Sequence, residues 1–187
     1  MREFELYTRI LSPAFLADDP TCMEEVKAGH KVTLITQKID DYRLYRFDID
    51  SSDADFLCFF NKNHSDNSSV RVPKNLRKFC DYVLLAQKKD KLFIFIIELK
   101  SGSREGAKVQ LMATELFMDY IKATAERIKG ANGYDQFDAA NIKTKKVVCG
   151  PHKTGSNPFK DKNPDDPLHL CNNEFRISLV IRQIFNC

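Results

Sequence analysis

The 187-residue chain has no cysteines at Cys-x-x-Cys spacing, no apolar run long enough to cross a bilayer, no internal repeat and no low-complexity tract. Each absence excludes a class. Six scattered cysteines (Cys22, Cys58, Cys80, Cys149, Cys171, Cys187) without a signal peptide favour reduced thiols over a disulfide framework. The opening MREFELYTRILSPAFLADDP mixes charges among its apolar residues, so it lacks the continuous centre of a secretory leader. No later stretch reaches the roughly 20 apolar residues of a spanning helix, and a cytoplasmic protein with no membrane partner is expected. Net charge is only +3, too small for the total alone to establish a polyanionic partner.

What is present fits a soluble globular chain, with 43% hydrophobic and 29% charged residues. Residues 1–187 suit one domain, long enough to bury most of its apolar surface without disulfides. Positive charge is concentrated in two segments, VRVPKNLRKFC with Arg71, Lys74, Arg77 and Lys78, and KTKKVVCGPHKTGSNPFKDK with Lys143, Lys145, Lys146, Lys153, Lys160 and Lys162. Such clusters suit phosphate contacts, although each alone also fits a solvated surface.

Residues 1 to about 28 are predicted to be mainly helical, interrupted at Pro13 and Pro20. Strands are predicted in KVTLITQ from Lys31, YRLYRFDI from Tyr42 and DFLCFF from Asp55, and a loop in NKNHSDNSSVRVPKN. A hairpin from Asp81 to Lys100, a helix from about Glu105 to Ile128, a strand near KKVVCG, a Pro/Gly/Asn-rich loop from Pro151 to Pro167 and a last strand FRISLVIRQIF complete the order. It implies an α/β fold, a mixed central β-sheet flanked by helices. In the long helix Val109, Met112, Ala113, Leu116, Tyr120 and Ile121 recur at three- and four-residue spacing and are expected to pack on the sheet.

The hairpin carries the chemistry. With Lys88 to Lys91 as its turn, Gln87 pairs with Leu92, and counting outward sets Asp81 opposite Glu98 on the neighbouring strand. Lys100, two residues on, shares their face. Both faces are otherwise apolar, so these are expected to be central strands. Two facing carboxylates repel unless a positive group stands between them. A divalent cation is the simplest candidate, bound by Asp81 and Glu98, the Leu99 carbonyl and waters, and completed by substrate phosphate. Lys100 beside it is placed to assist an attacking water or to stabilise transition-state charge.

An acid, a hairpin, then Glu98-Leu99-Lys100 ending an apolar strand before a helix resembles the PD-(D/E)XK nuclease superfamily, with its restriction-endonuclease-like core. The resemblance is close over Asp81 to Tyr120. It implies Mg²⁺, with Mn²⁺ as a substitute, held by Asp81 and Glu98, and Lys100 assisting the water. Gln110 resembles the helix glutamine of the RecB-like branch. The tyrosine that usually follows is missing, with Glu115 in that region, and Cys80 stands where the family often has proline. The family often adds an acid from its first helix; TCMEEVKAG offers Glu24 and Glu25, and Glu25 is the choice.

The resemblance implies a Mg²⁺-dependent endonuclease, acting on DNA before RNA, in a defence, restriction or repair setting, as a homodimer or as a subunit of a larger assembly. The alternative is a noncatalytic nucleic-acid-binding or protein-interaction module on the same fold. Ser101 or Ser103 could cap the following helix, with Arg104 and Lys108 adding charge. Cys149, His152, His169 and Cys171 are of the right types for structural Zn²⁺, but His-x-Cys is an atypical spacing and no zinc is expected.

Overall fold

The computed structural model describes residues 2–25, 30–47, 79–100, 106–150, 166–170 and 174–186. Its elements are α1 (Arg2–Ile10), β1 (Cys22–Glu25), β2 (His30–Ile35), β3 (Asp41–Arg46), β4 (Tyr82–Lys88), β5 (Lys91–Leu99), α2 (Ala107–Ile128), β6 (Ile142–Cys149), β7 (Leu168–Leu170), β8 (Glu174–Arg176) and α3 (Ile177–Phe185). They form a mixed α/β structure with two mixed sheets, one of five strands in the order β3-β4-β5-β6-β7 and one of three, β1-β2-β8.

The β4–β5 hairpin has the register read from its alternation: Gln87 faces Leu92 and Tyr82 faces Ile97. Its turn is tighter than expected, because Lys88 still pairs with Lys91. Lys89 takes φ 57° there, and its amide donates to Asp40 Oδ2 at 2.5 Å. β5 then runs parallel to β6, with α2 as the crossover between them, and is buried from Leu92 to Leu99. Burial on both sides explains why neither face of the hairpin is polar.

One core lies on the side of the sheet that carries Val83, Leu85, Ile94 and Ile96, against α1 and α2. The other packs Leu84, Phe93, Phe95 and Ile97 against the small sheet and α3. Each such side chain contributes about 1.5–3 kcal/mol when fully buried. Among the described residues no helix is long and apolar enough to cross a membrane.

Three expectations are corrected. Among the described residues of the first 28, only Arg2–Ile10 is a regular α-helix, and Cys22–Glu25 is a strand paired antiparallel with His30–Thr33. The helix-favouring Met-Glu-Glu run yields to sheet pairing and to burial of Met23 in the second core. The run FRISLVIRQIF is a strand only over Glu174–Arg176 and then a helix, which buries Ile177, Val180 and Ile181 at spacings of three and four.

The apolar stripe on α2 is reversed. Leu111, Thr114, Met118, Ile121 and Ala125 face the core, whereas Leu116 and Tyr120 are 65% and 66% exposed, with Val109 and Met112 on the same outer side. Ile121 alone of the expected stripe is fully buried, and Ala113 is half-buried. The expected strand DFLCFF, the loop after it, the caps Ser101 and Ser103, and most of Pro151 to Pro167 lie outside the described residues.

Candidate functional site

Strand alternation and the hairpin register carry Asp81, Glu98 and Lys100 to the α2 side of the sheet, at the end where β5 leaves it. Cross-strand hydrogen bonds lock the first two together. The Leu99 amide donates to Asp81 Oδ2 at 2.6 Å, and the Asp81 backbone donates to the Glu98 carboxylate. Leu99 therefore enters the site through its backbone, while its side chain packs into the opposite core.

Glu98 is 1% exposed, and Lys100 Nζ lies 2.5 Å from its Oε1. Burial pushes the Glu98 carboxyl above the ordinary range; the hydrogen bond and charge of Lys100 oppose this, and the negative charge of Glu25 adds to it. Glu25 thus comes within electrostatic range of Glu98, but from strand β1 and not from the first helix, a correction to its expected origin. The Tyr82 hydroxyl pins β1 by accepting from the Glu24 amide at 3.0 Å and donating to the Glu24 carbonyl at 3.2 Å. The Glu24 carboxylate points instead to Lys31, at 3.3 Å.

The Oε2 atoms of Glu98 and Glu25 are both buried and take no hydrogen bond among the described residues. A buried carboxylate oxygen without a hydrogen-bond donor is costly, and for Glu98 the cost is offset in part by Lys100 at its other oxygen. Among the described residues, however, no group of three or more His, Cys, Asp or Glu stands in an arrangement that could hold a metal ion.

Gln110, in the first turn of α2, completes the cluster. Its Oε1 accepts from Lys100 Nζ at 3.3 Å, and its Nε2 donates to the Phe79 carbonyl at 3.1 Å, just before Asp81. Gly106, at φ 82°, starts the helix in a left-handed conformation suited to glycine.

Three further residues support the site without having been singled out for it. Thr114, one turn after Gln110, is buried; its Oγ1 accepts from the Cys80 amide at 2.8 Å and donates to the Gln110 carbonyl at 3.0 Å. It stands at the i+4 position from Gln110, a relation that the sequence already contains. Lys146 on β6 pairs with Glu115 of α2 at 2.7 Å. Gly150 follows β6 so closely against β5 that a Cβ there would overlap the Lys100 carbonyl oxygen.

Cys80 is buried, its thiol pushed up by desolvation, and it fills the space where proline was expected from the resemblance. Of the zinc-type quartet, Cys149 is packed in the second core beside Leu99, His169 is on β7, and His152 and Cys171 lie outside the described residues. Lys143, Lys145 and Lys146 lie on β6; Lys145 is buried, and the remaining members of both basic clusters lie outside the described residues. Lys108 is exposed on the first turn of α2. No family model, no curated protein and no solved structure matches the chain.

Proposed function

We propose that this chain is a divalent-metal-dependent nuclease with a restriction-endonuclease-like core, hydrolysing phosphodiester bonds in nucleic acid, DNA before RNA. The observation that carries the reading is the convergence of Asp81, Glu98, Lys100 and Gln110 at one end of the buried hairpin, with the unbonded Oε2 atoms of Glu98 and Glu25 beside them.

Asp81 and Glu98 offer carboxylate oxygens and Leu99 a backbone carbonyl, the ligand type that Mg²⁺ or Mn²⁺ takes, while Glu25 stands within electrostatic range of Glu98 and not in one three-acid group with them. Bound there, the ion supplies Lewis-acid polarisation of the phosphoryl oxygens and acidifies a water. The remaining roles belong to side chains. Lys100 holds its ammonium beside Glu98, where it offsets the buried carboxylate and offers positive charge to phosphoryl oxygens as they gain charge in the transition state. Gln110 fixes the ammonium from the other side and ties α2 to the strand start through Phe79. Burial of the acids lowers the local dielectric and makes each of these interactions stronger than in water.

The test is cleavage of supercoiled plasmid, linear duplex, single-stranded DNA and RNA in Mg²⁺, Mn²⁺ or EDTA, comparing the wild type with Glu98→Ala and Lys100→Ala. Metal-dependent cutting by the wild type, lost in both variants while their circular dichroism stays native, supports the reading and identifies the substrate. A folded wild type that binds nucleic acid but cuts none of the four turns the reading into a noncatalytic module.

A further inference from the structure

A cavity of about 350 Å³ opens at the end of the central sheet remote from Glu98, where Lys88 closes β4 and α3 begins. Lys88 is seven residues along the chain from Asp81, roughly 24 Å of extended strand, so this cavity is separate from the proposed nuclease centre. Lys38, Lys88, Arg176 and Arg182 line it, with Gln37 and Ser178 between them and no acid among the described lining residues. Positive side chains that converge on one concavity raise the potential inside it.

Arg176 is offset by an acid, so the uncompensated charge of the cavity is that of Lys38 and Arg182. Glu174 is held by Arg176 at 2.8 Å, Asp41 by Arg43 at 3.1 Å, and Asp40 Oδ2 by the Lys89 amide. Lys38 and Arg182 make no ion pair or hydrogen bond among the described residues. Ser178 and Arg182 stand four residues apart on α3 and so project on one side of the helix. The first turn of α3 contains no acid and has no side-chain cap, leaving its amides as additional donors beside the cations.

We infer that this cavity is a binding site for the phosphoryl group of a small ligand, inorganic phosphate or a mononucleotide. The Arg182 guanidinium offers a planar fork and Lys38 a mobile ammonium, the pair of geometries that phosphoryl oxygens accept. Ile35 and Leu179 add apolar wall, and the Gln37 amide adds a donor and an acceptor for whatever the phosphoryl group carries. The volume lies near the lower end of small-molecule pockets, about 300–1,000 Å³, which suits a mononucleotide and not a duplex.

The test is titration calorimetry of the full chain with inorganic phosphate and with adenosine monophosphate, on the wild type, Arg182→Gln, Lys38→Gly and Lys100→Ala. Lys38 sits at φ 65°, a conformation that glycine adopts without strain, so Lys38→Gly removes the charge without endangering the fold. Both ligands are expected to bind the wild type and Lys100→Ala equally, and about tenfold more weakly to Arg182→Gln and Lys38→Gly. Tighter binding of adenosine monophosphate than of phosphate assigns the site to a nucleotide, and equal binding assigns it to free phosphate. The inference is overturned if neither ligand binds, if binding depends on Lys100 and not on Arg182, or if only a DNA duplex binds through Arg182. None of these outcomes depends on nuclease activity, so the two proposals fail separately.

Discussion

Gln110 accepts a hydrogen bond from Lys100 across the gap between α2 and the end of β5, at 3.3 Å. Because the same amide group donates to the Phe79 carbonyl, one side chain joins helix, lysine and the start of the hairpin. Gln110→Ala releases the ammonium without removing it. On the proposed nuclease reading, the cleavage rate is expected to fall about tenfold to a hundredfold with little change in KM, since misplacement of a catalytic group lowers the rate more than binding. Stability should fall by only about 0.5–1.5 kcal/mol for each hydrogen bond lost. Steady-state kinetics and urea denaturation on the same samples check both.

Gly150 holds the strand end of Lys100 in place by having no side chain. Gly150→Ala forces a Cβ against the Lys100 carbonyl and into contact with the Lys100 Cβ. The expected cost is about 1–3 kcal/mol of stability, as for other overpacked interiors. On the proposed reading, nuclease activity should fall further than this loss explains, because Lys100 moves with its backbone. A denaturation midpoint together with single-turnover cleavage separates the two effects.

Mg²⁺ is expected to raise the melting temperature of the wild type, and EDTA to reverse the rise, because a ligand that binds only the folded state stabilises it by mass action. Glu98→Gln and Glu25→Gln should each reduce the rise, each removing one of the buried oxygens that lack a hydrogen bond. Thermal melts with and without millimolar Mg²⁺ test this without any nucleic acid. An undiminished rise in Glu25→Gln would remove that residue from the site.

Glu98 gives the metal-free protein a defined pH response. Burial raises its folded pKa above the ordinary 4.5, so the folded chain holds this proton more tightly than the unfolded chain. Its contribution to stability is therefore fully present below the unfolded value and is lost as pH rises through the raised folded value. Glu98→Gln, which cannot ionise, should lack this segment of the pH profile. Urea midpoints in EDTA from about pH 4 to about pH 8 should show the variant gaining on the wild type as pH increases.

The two sides of α2 should respond oppositely. Leu111 is 1% exposed and Leu116 is 65% exposed. Leu111→Ala is expected to cost about 2–5 kcal/mol as a buried cavity. Leu116→Gln should change stability by no more than about 0.5 kcal/mol, as for an exposed site. Chemical denaturation of the pair checks which face of the helix meets the sheet.

Most of the candidate cluster's convergence was readable from the order of residues because it is local. Asp81, Glu98 and Lys100 lie on one hairpin, and period-two alternation with a short turn leaves a single register for them. Gln110 follows within ten residues of Lys100, on the helix that the same strand leads into. The long helix and the strands β2 to β5 were visible for the same reason, as uninterrupted patterns. The side of α2 that faces inward was not, because apolar residues occur around much of the helix. The sheet beneath selects the face whose small and polar residues, Ala107 and Thr114 among them, let the helix reach Cys80.

Contacts distant in sequence required the folded chain. Met23 and Glu25 become a strand through pairing with β2, and Glu25 is brought near Glu98 by that second sheet, not by any spacing between them. Ile177–Phe185 becomes a helix, although its apolar run equally suits a strand, because its buried residues at spacings of three and four pack on a core supplied by other elements. Periodicity specifies what a segment can bury; the surface that receives it settles which conformation and which face it takes.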